Sequence, residues 1–218
     1  MEKLPFTNFD FWGYLASGFL LLCAVDLAAG YGLIQRENWT IVEGILAISM
    51  AYVIGHAVAS ISSLVLERGL VAGLLGRPNQ ALFGTSRAPS WLRKLFGFYF
   101  ELLPGETRTT IFDRAAKAGI SRAGEGLFWL AFAEARASER TMARLADFLN
   151  QYSFCRNVSL VCFVDAALLQ WAHLRSGDDA QLLWTRVSLV VGLVLLMRYL
   201  KFLRLYSVEL FTSFAHAR

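Results

Sequence analysis

The residues best equipped for chemistry in this sequence are a histidine and two aspartates set inside apolar runs. His56 lies in AYVIGHAVASISSLVLER, from Ala51 to Arg68. Steps of three and four from it reach Ser49, Tyr52, Ser60 and Ser63, spacings that share one face of a helix. The run therefore carries a polar stripe. Gly55, Ala59 and Ser63 lie beside the stripe and form a small-residue ladder that lets another helix approach closely, so the stripe is expected to face protein or a water-filled space. Two carboxylates in other apolar runs, Asp26 and Asp165, are placed to meet the imidazole. At about 1.5 Å per residue, His56 lies roughly 15 Å, Asp165 roughly 16 Å and Asp26 roughly 21 Å from the cytoplasmic end of its helix. His56 and Asp165 thus share one depth near the bilayer midplane, where an unpaired charge costs several kcal/mol, and a His56–Asp165 contact is the least costly arrangement of both. Such a site suits three chemistries: hydrogen-bonded glue between packed helices, an ion or proton pathway, and catalysis. Asp26, nearer the outer interface, is expected to reach water, and Glu43 and Glu67 to sit at helix ends.

Other chemistry finds little footing. There is no Gly-x-Ser-x-Gly elbow, no phosphate-binding loop and no His-Glu-x-x-His. His56, His173 and His216 are widely dispersed, and Cys23, Cys155 and Cys162 have neither disulfide-framework nor metal-ligand spacing. No catalytic residue, metal or cofactor is expected. The pair Arg156-Asn157 hints at an RNA-cleaving helical domain, but the next histidine, His173, is too distant for that motif. Asn38-Trp39-Thr40 matches a glycosylation sequon, although a three-residue match between two apolar runs arises often by chance.

The elements that must hold these residues are helices long enough for a bilayer. Of 218 residues, 56% are hydrophobic and 17% charged, against roughly 45–50% and about 25% in soluble domains. A span needs about 20 helical residues. Trp12–Ile34, Ile41–Leu66, Phe154–Leu174 and Leu182–Leu200 fit. The aromatic and acidic leader MEKLPFTNFDFWGY lacks the marks of a cleaved signal, so the first run is expected to stay. Arg186 and Arg198 bracket the core of the fourth run, and Tyr199, Phe202 and Tyr206 continue it as an interfacial anchor. No alternating runs call for a sheet. The fold class is all-α: an integral membrane protein with four transmembrane helices in two hairpins and a cytosolic helical segment between them. The expected domains are a hairpin over 1–67, a helical segment over 68–151, and a hairpin with a basic tail over 152–218. Within the middle segment Trp91–Leu103 is read either as a surface-lying stretch or as a buried bundle helix. Further helices are predicted over Thr107–Gly119 and Arg122–Asn150, the latter broken near Ser138.

Charge orients the chain. Residues 68–150 hold twelve basic and seven acidic side chains, and residues 198–218 four and one, while the short hairpin links are neutral. Lysine and arginine gather on the cytoplasmic side, so the middle segment and both termini are expected there. The bases are interleaved with acids and no binding motif accompanies them, so nucleic acid is not an expected partner. The expected partners are the lipid bilayer, further copies of this chain along the Gly55/Ala59/Ser63 ladder, and a cytosolic protein docking on 68–151.

Three short features carry a resemblance: the Gly55-His56 pair in the second run, Phe154-Cys155-Arg156-Asn157 after Tyr152 at the start of the third, and the basic, aromatic tail from Arg198 to Phe211. In these the chain resembles a loosely defined group of small bacterial inner-membrane proteins of unknown function. Some of that group accompany anti-phage defence genes. The resemblance implies a membrane effector or sensor; with the small-residue ladder and the little interior volume of one hairpin pair, the expectation is a homo-oligomer that alters or senses membrane permeability. The rival expectations are a non-enzymatic scaffold that holds a cytosolic partner, and a lipid-modifying enzyme using His56 with Asp165.

Overall fold

The computed structural model describes residues 8–34, 36–120 and 122–216, with side chains from Gly13 onward. Among these it is all-helical, with 82% helix and no strand. Helices α1 (Asn8–Ala29) and α2 (Ile41–Ser62) come first, and α2 passes directly into a π-helical stretch, Ser63–Leu75. Then follow α3 (Pro78–Leu82), α4 (Ser90–Leu95), a 3₁₀ turn at Gly97–Tyr99, α5 (Gly105–Lys117), α6 (Glu125–Ala135), α7 (Glu139–Ser176) and α8 (Asp179–His216). Three helical runs are long and apolar enough to cross a membrane: Ile41–Leu82, Glu139–Ser176 and Asp179–His216. The apolar part of α1, Gly13–Ala29, is shorter than these. The chain divides into two compact units, Met1–Leu66 with Ser153–Tyr199 and Glu67–Tyr152 with Leu200–Arg218.

In the first unit α1 and α2 run antiparallel, with residue 14 opposite 55 and residue 18 opposite 51. Glycine makes this crossing possible. A β-carbon at Gly18 would overlap the Ala51 carbonyl, and one at Gly55 would overlap that of Tyr14. The connection is set by Gly30 and Gly32, both at positive φ, a region open to glycine at little cost. The start of α2 is a capping box: the Glu43 amide donates to Thr40 Oγ1 (3.2 Å) and the Thr40 amide donates to Glu43 Oε2 (2.9 Å). Thr40 of the apparent sequon is thus a helix cap. Helix α7 buries Cys155, Val158, Cys162, Asp165, Leu169 and Ala172, one stripe at helical spacing. Ser159 Oγ donates to the Gly192 carbonyl of α8 at 2.8 Å, and a β-carbon on Gly192 would stand 3.1 Å from Cys162 Cβ. Outward, Ile45, Leu46 and Val53 of α2 and Val190, Leu193 and Val194 of α8 are exposed, more apolar surface than a soluble domain leaves bare.

The second unit has its own core, in which Leu82, Leu103, Ile111, Ala115, Leu127, Ala131, Leu210, Phe211 and Phe214 are buried together. Gly76, at positive φ, ends the π-helical stretch. The carbonyls left open there are met by side chains, as helix ends require: Ser86 Oγ donates to Leu75 O (2.7 Å) and Tyr99 Oη to Gly76 O (2.8 Å). Tyr99 is fully buried, and burial pushes its phenol above the usual tyrosine range.

Several boundaries differ from the expected ones. The break near Ser138 is present, between α6 and α7. Helix α7 then runs unbroken through residues 151 and 152, so the third apolar run opens inside a helix that began at Glu139. The tail beyond Leu200 is the helical end of α8, and it belongs to the second unit. The reason is its spacing: Leu210, Phe211 and Phe214 share a face, and the unit's core takes that face in. Arg144 and Arg204 fasten the same helix through Glu209 (3.0 Å) and Glu101 (3.2 Å). Trp91–Leu103 is not one helix. It is α4 and a 3₁₀ turn, with Leu92, Phe96, Tyr99 and Leu103 buried and Trp91, Leu95, Phe98 and Leu102 exposed.

Candidate functional site

The polar groups of the first unit fall into three places. The first is a buried seam between α2 and α7. Ser62 lies on the packed face of α2, which also holds Ala51, Gly55 and Val58. Its hydroxyl donates to Asn157 Oδ1 (2.5 Å), with the Ala59 carbonyl also in reach (3.0 Å), and accepts from Arg156 Nε (3.1 Å). Arg156 Nη2 donates to the same Asn157 oxygen at 3.1 Å. Arg156 is only 9% exposed, and Ser62 and Asn157 are buried. A buried guanidinium is tolerated where such acceptors meet it, and these three residues lock α2 to α7.

The second place is Asp165, nine residues farther along α7 and so about 13.5 Å from Arg156. It is 5% exposed, and its Oδ1 has no hydrogen-bond partner. Cys162 stands one turn before it on the same buried stripe. A carboxyl oxygen without a partner in such surroundings costs about 1–3 kcal/mol or more. The open oxygen is an acceptor that a proton would satisfy.

The third is His56, and here the expected pairing is not found. His56 is exposed on α2. Its ring stacks on Tyr14 at 4.1 Å and meets Tyr52 edge-on at 4.7 Å; no hydrogen bond joins it to Asp165. The physical reason lies in the choice of face. Close approach of backbones is decided by Gly55, so α2 turns Ala51, Gly55, Val58 and Ser62 inward, and the stripe through Ser49, His56 and Ser60 points out. The two serines satisfy themselves along the helix: Ser49 Oγ donates to Ile45 O (2.8 Å) and Ser60 Oγ to His56 O (3.2 Å). Tyr52, Ala59 and Ser63 are half-buried. Of the small-residue ladder, Gly55 is occupied by α1 of the same chain.

Asp26, expected to reach water, is 5% exposed. Its Oδ1 accepts the Leu33 amide (2.9 Å) and its Oδ2 the Ile34 amide (3.1 Å). It thus folds the α1–α2 link back on the end of α1. Among the described residues no three His, Cys, Asp or Glu side chains converge as metal ligands would. Sequence reasoning passed over Ser62 and Ser159, and it noted Arg156-Asn157 only as a motif. The signal for Ser62 was its place seven residues after Gly55, on the glycine face rather than the polar one. No protein-family model, curated protein or solved structure matches this chain.

Proposed function

We propose that the chain is an integral protein of the bacterial inner membrane, with four spans in two hairpins and with both termini and residues 68–151 in the cytoplasm. In this reading it acts as a homo-oligomer that alters or senses membrane permeability. The resemblance in its short motifs suggests anti-phage defence as the setting. The observation that carries the reading is Asp165: a carboxyl oxygen buried without a partner in a helix apolar enough to span. Ionisable groups inside a span are expensive and mark ion or proton pathways. The exposed apolar faces of α2 and α8 suit lipid and further copies of the chain. The fourth span is α1, whose 22 residues reach about 33 Å. The test is ion leakage from proteoliposomes against empty vesicles. A second reading, a scaffold for a cytosolic partner, draws on Trp91 and Trp129, both exposed on the second unit. Co-purification of one defined partner, with no leakage, would favour it.

A further inference from the structure

One cleft of the second unit combines features absent from the intramembrane seam. It is a cavity of about 360 Å³, within the size range of ligand sites. Its walls include Arg77, Glu125, Trp129, Tyr152 and Tyr206. A second hollow of about 290 Å³ shares Arg77 and Tyr152 and adds Arg68. The guanidinium groups of Arg68 and Arg77 and the carboxylate of Glu125 have no ion-pair or hydrogen-bond partner among the described residues. The rings are mutually braced, Tyr152 against Tyr206 edge-on at 6.5 Å. The adjoining hollows therefore offer two free cationic groups, a free carboxylate and aromatic rings within one set of walls.

Their position along the chain narrows what would fill them. Arg68 stands just past the apolar run ending at Leu66, Tyr152 just before the run beginning at Phe154, and Tyr206 six residues beyond the run ending at Leu200. In a chain that crosses a bilayer, residues at those places lie at the level of lipid headgroups, where Tyr, Trp and Arg collect.

We propose that this cleft binds the headgroup of a zwitterionic phospholipid. Its phosphate is held by Arg77 and Arg68 through charge-assisted hydrogen bonds. Its ammonium is held by Glu125 and by the faces of Trp129 and Tyr152 through cation–π attraction. An anionic lipid would satisfy the arginines and leave Glu125 opposed to its charge. The inference rests on the membrane reading above but not on permeability. Lipid selectivity lost with leakage intact would sink this proposal alone, and the reverse result would sink only the permeability reading.

The test uses the full chain in mild detergent, stripped of lipid and titrated with phosphatidylethanolamine, phosphatidylcholine or phosphatidylglycerol, with bound lipid counted by native mass spectrometry. One zwitterionic lipid per chain should be retained at least about tenfold more tightly than phosphatidylglycerol. Arg77→Gln and Glu125→Gln should each weaken that lipid about tenfold, the scale of one charge-assisted contact. Both residues are exposed, and wild-type melting of each variant is the control for folding. Should a variant melt early, the wild-type selectivity decides alone. Phosphatidylglycerol binding as tightly as the zwitterionic lipids would overturn the proposal. So would retention unchanged by Glu125→Gln in a folded variant. Soluble glycerophosphoethanolamine competing at the same concentration as the lipid would also overturn it, by making a free metabolite the occupant.

Discussion

Replacing Gly55 with alanine should force α1 away from α2. The added carbon would overlap the Tyr14 carbonyl and stand 2.9 Å from Tyr14 Cα. The Tyr14 carbonyl carbon would be nearer still, at 2.5 Å; carbon atoms rest at about 3.5–4.0 Å, so the helices must part by about 1.0–1.5 Å. The obstacle is main chain, which cannot swing aside as the end of a side chain would. Overpacking of this kind costs about 1–3 kcal/mol, and in a chain of this length each kcal/mol lowers Tm by about 2–4 °C. Gly18→Ala should cost a similar amount, because a carbon there would lie 2.8 Å from the Gly55 amide nitrogen. The double variant should lose less than the sum, since one separation relieves both clashes. The assay is thermal unfolding in detergent, followed by tryptophan fluorescence. A wild-type Tm for Gly55→Ala, or losses that simply add, would refute the glycine crossing.

Asn157→Ala takes the shared acceptor from Ser62 and Arg156 and should destabilise by about 1–3 kcal/mol in the same melting assay; a loss near zero would contradict the seam. Tyr99→Phe deletes the bond to Gly76 and should cost about 0.5–1.5 kcal/mol. Because burial holds the Tyr99 phenol above its unfolded value, its contribution is complete below about pH 10 and is lost as pH rises further. The wild type should therefore lose stability in alkali more steeply than Tyr99→Phe, and parallel alkaline melts would count against it. In a cysteine-free background, cysteines placed at Glu37 or Gly177 should be labelled from outside sealed cells while one at Arg114 is not; labelling at 114 would reverse the orientation.

The helical class and a few helix ends, such as the start of α2 at Ile41, were legible because their causes are local. Apolar runs of span length marked α2 and the apolar parts of α7 and α8, and the break expected near Ser138 is present. The site was less legible because it depends on which face of α2 turns inward. A polar stripe and a glycine face compete on that helix, and backbone approach at Gly55 wins, which sends His56 outward and brings Ser62 to Asn157. Asp26 was misplaced for a related reason. Its depth was readable, but not the chain reversal at Gly30 and Gly32 that carries the Leu33 and Ile34 amides to its carboxylate. The end of α8 read as a basic interfacial tail, since nothing local reveals that Leu210, Phe211 and Phe214 have a core waiting in the second unit.

The central claim is that Asp165 serves a permeability pathway, and proton flux through matched proteoliposomes tests it most directly. Vesicles carrying a pH gradient and an internal pH dye would hold equal amounts of wild-type protein, Asp165→Asn protein or none. Asparagine keeps the shape of the side chain and removes its ionisation, so the variant should reconstitute and melt as the wild type does. The account predicts that wild-type vesicles dissipate the gradient and that Asp165→Asn vesicles hold it as empty ones do. Wild-type vesicles as tight as empty ones, or a folded Asp165→Asn protein leaking at the wild-type rate, would contradict it.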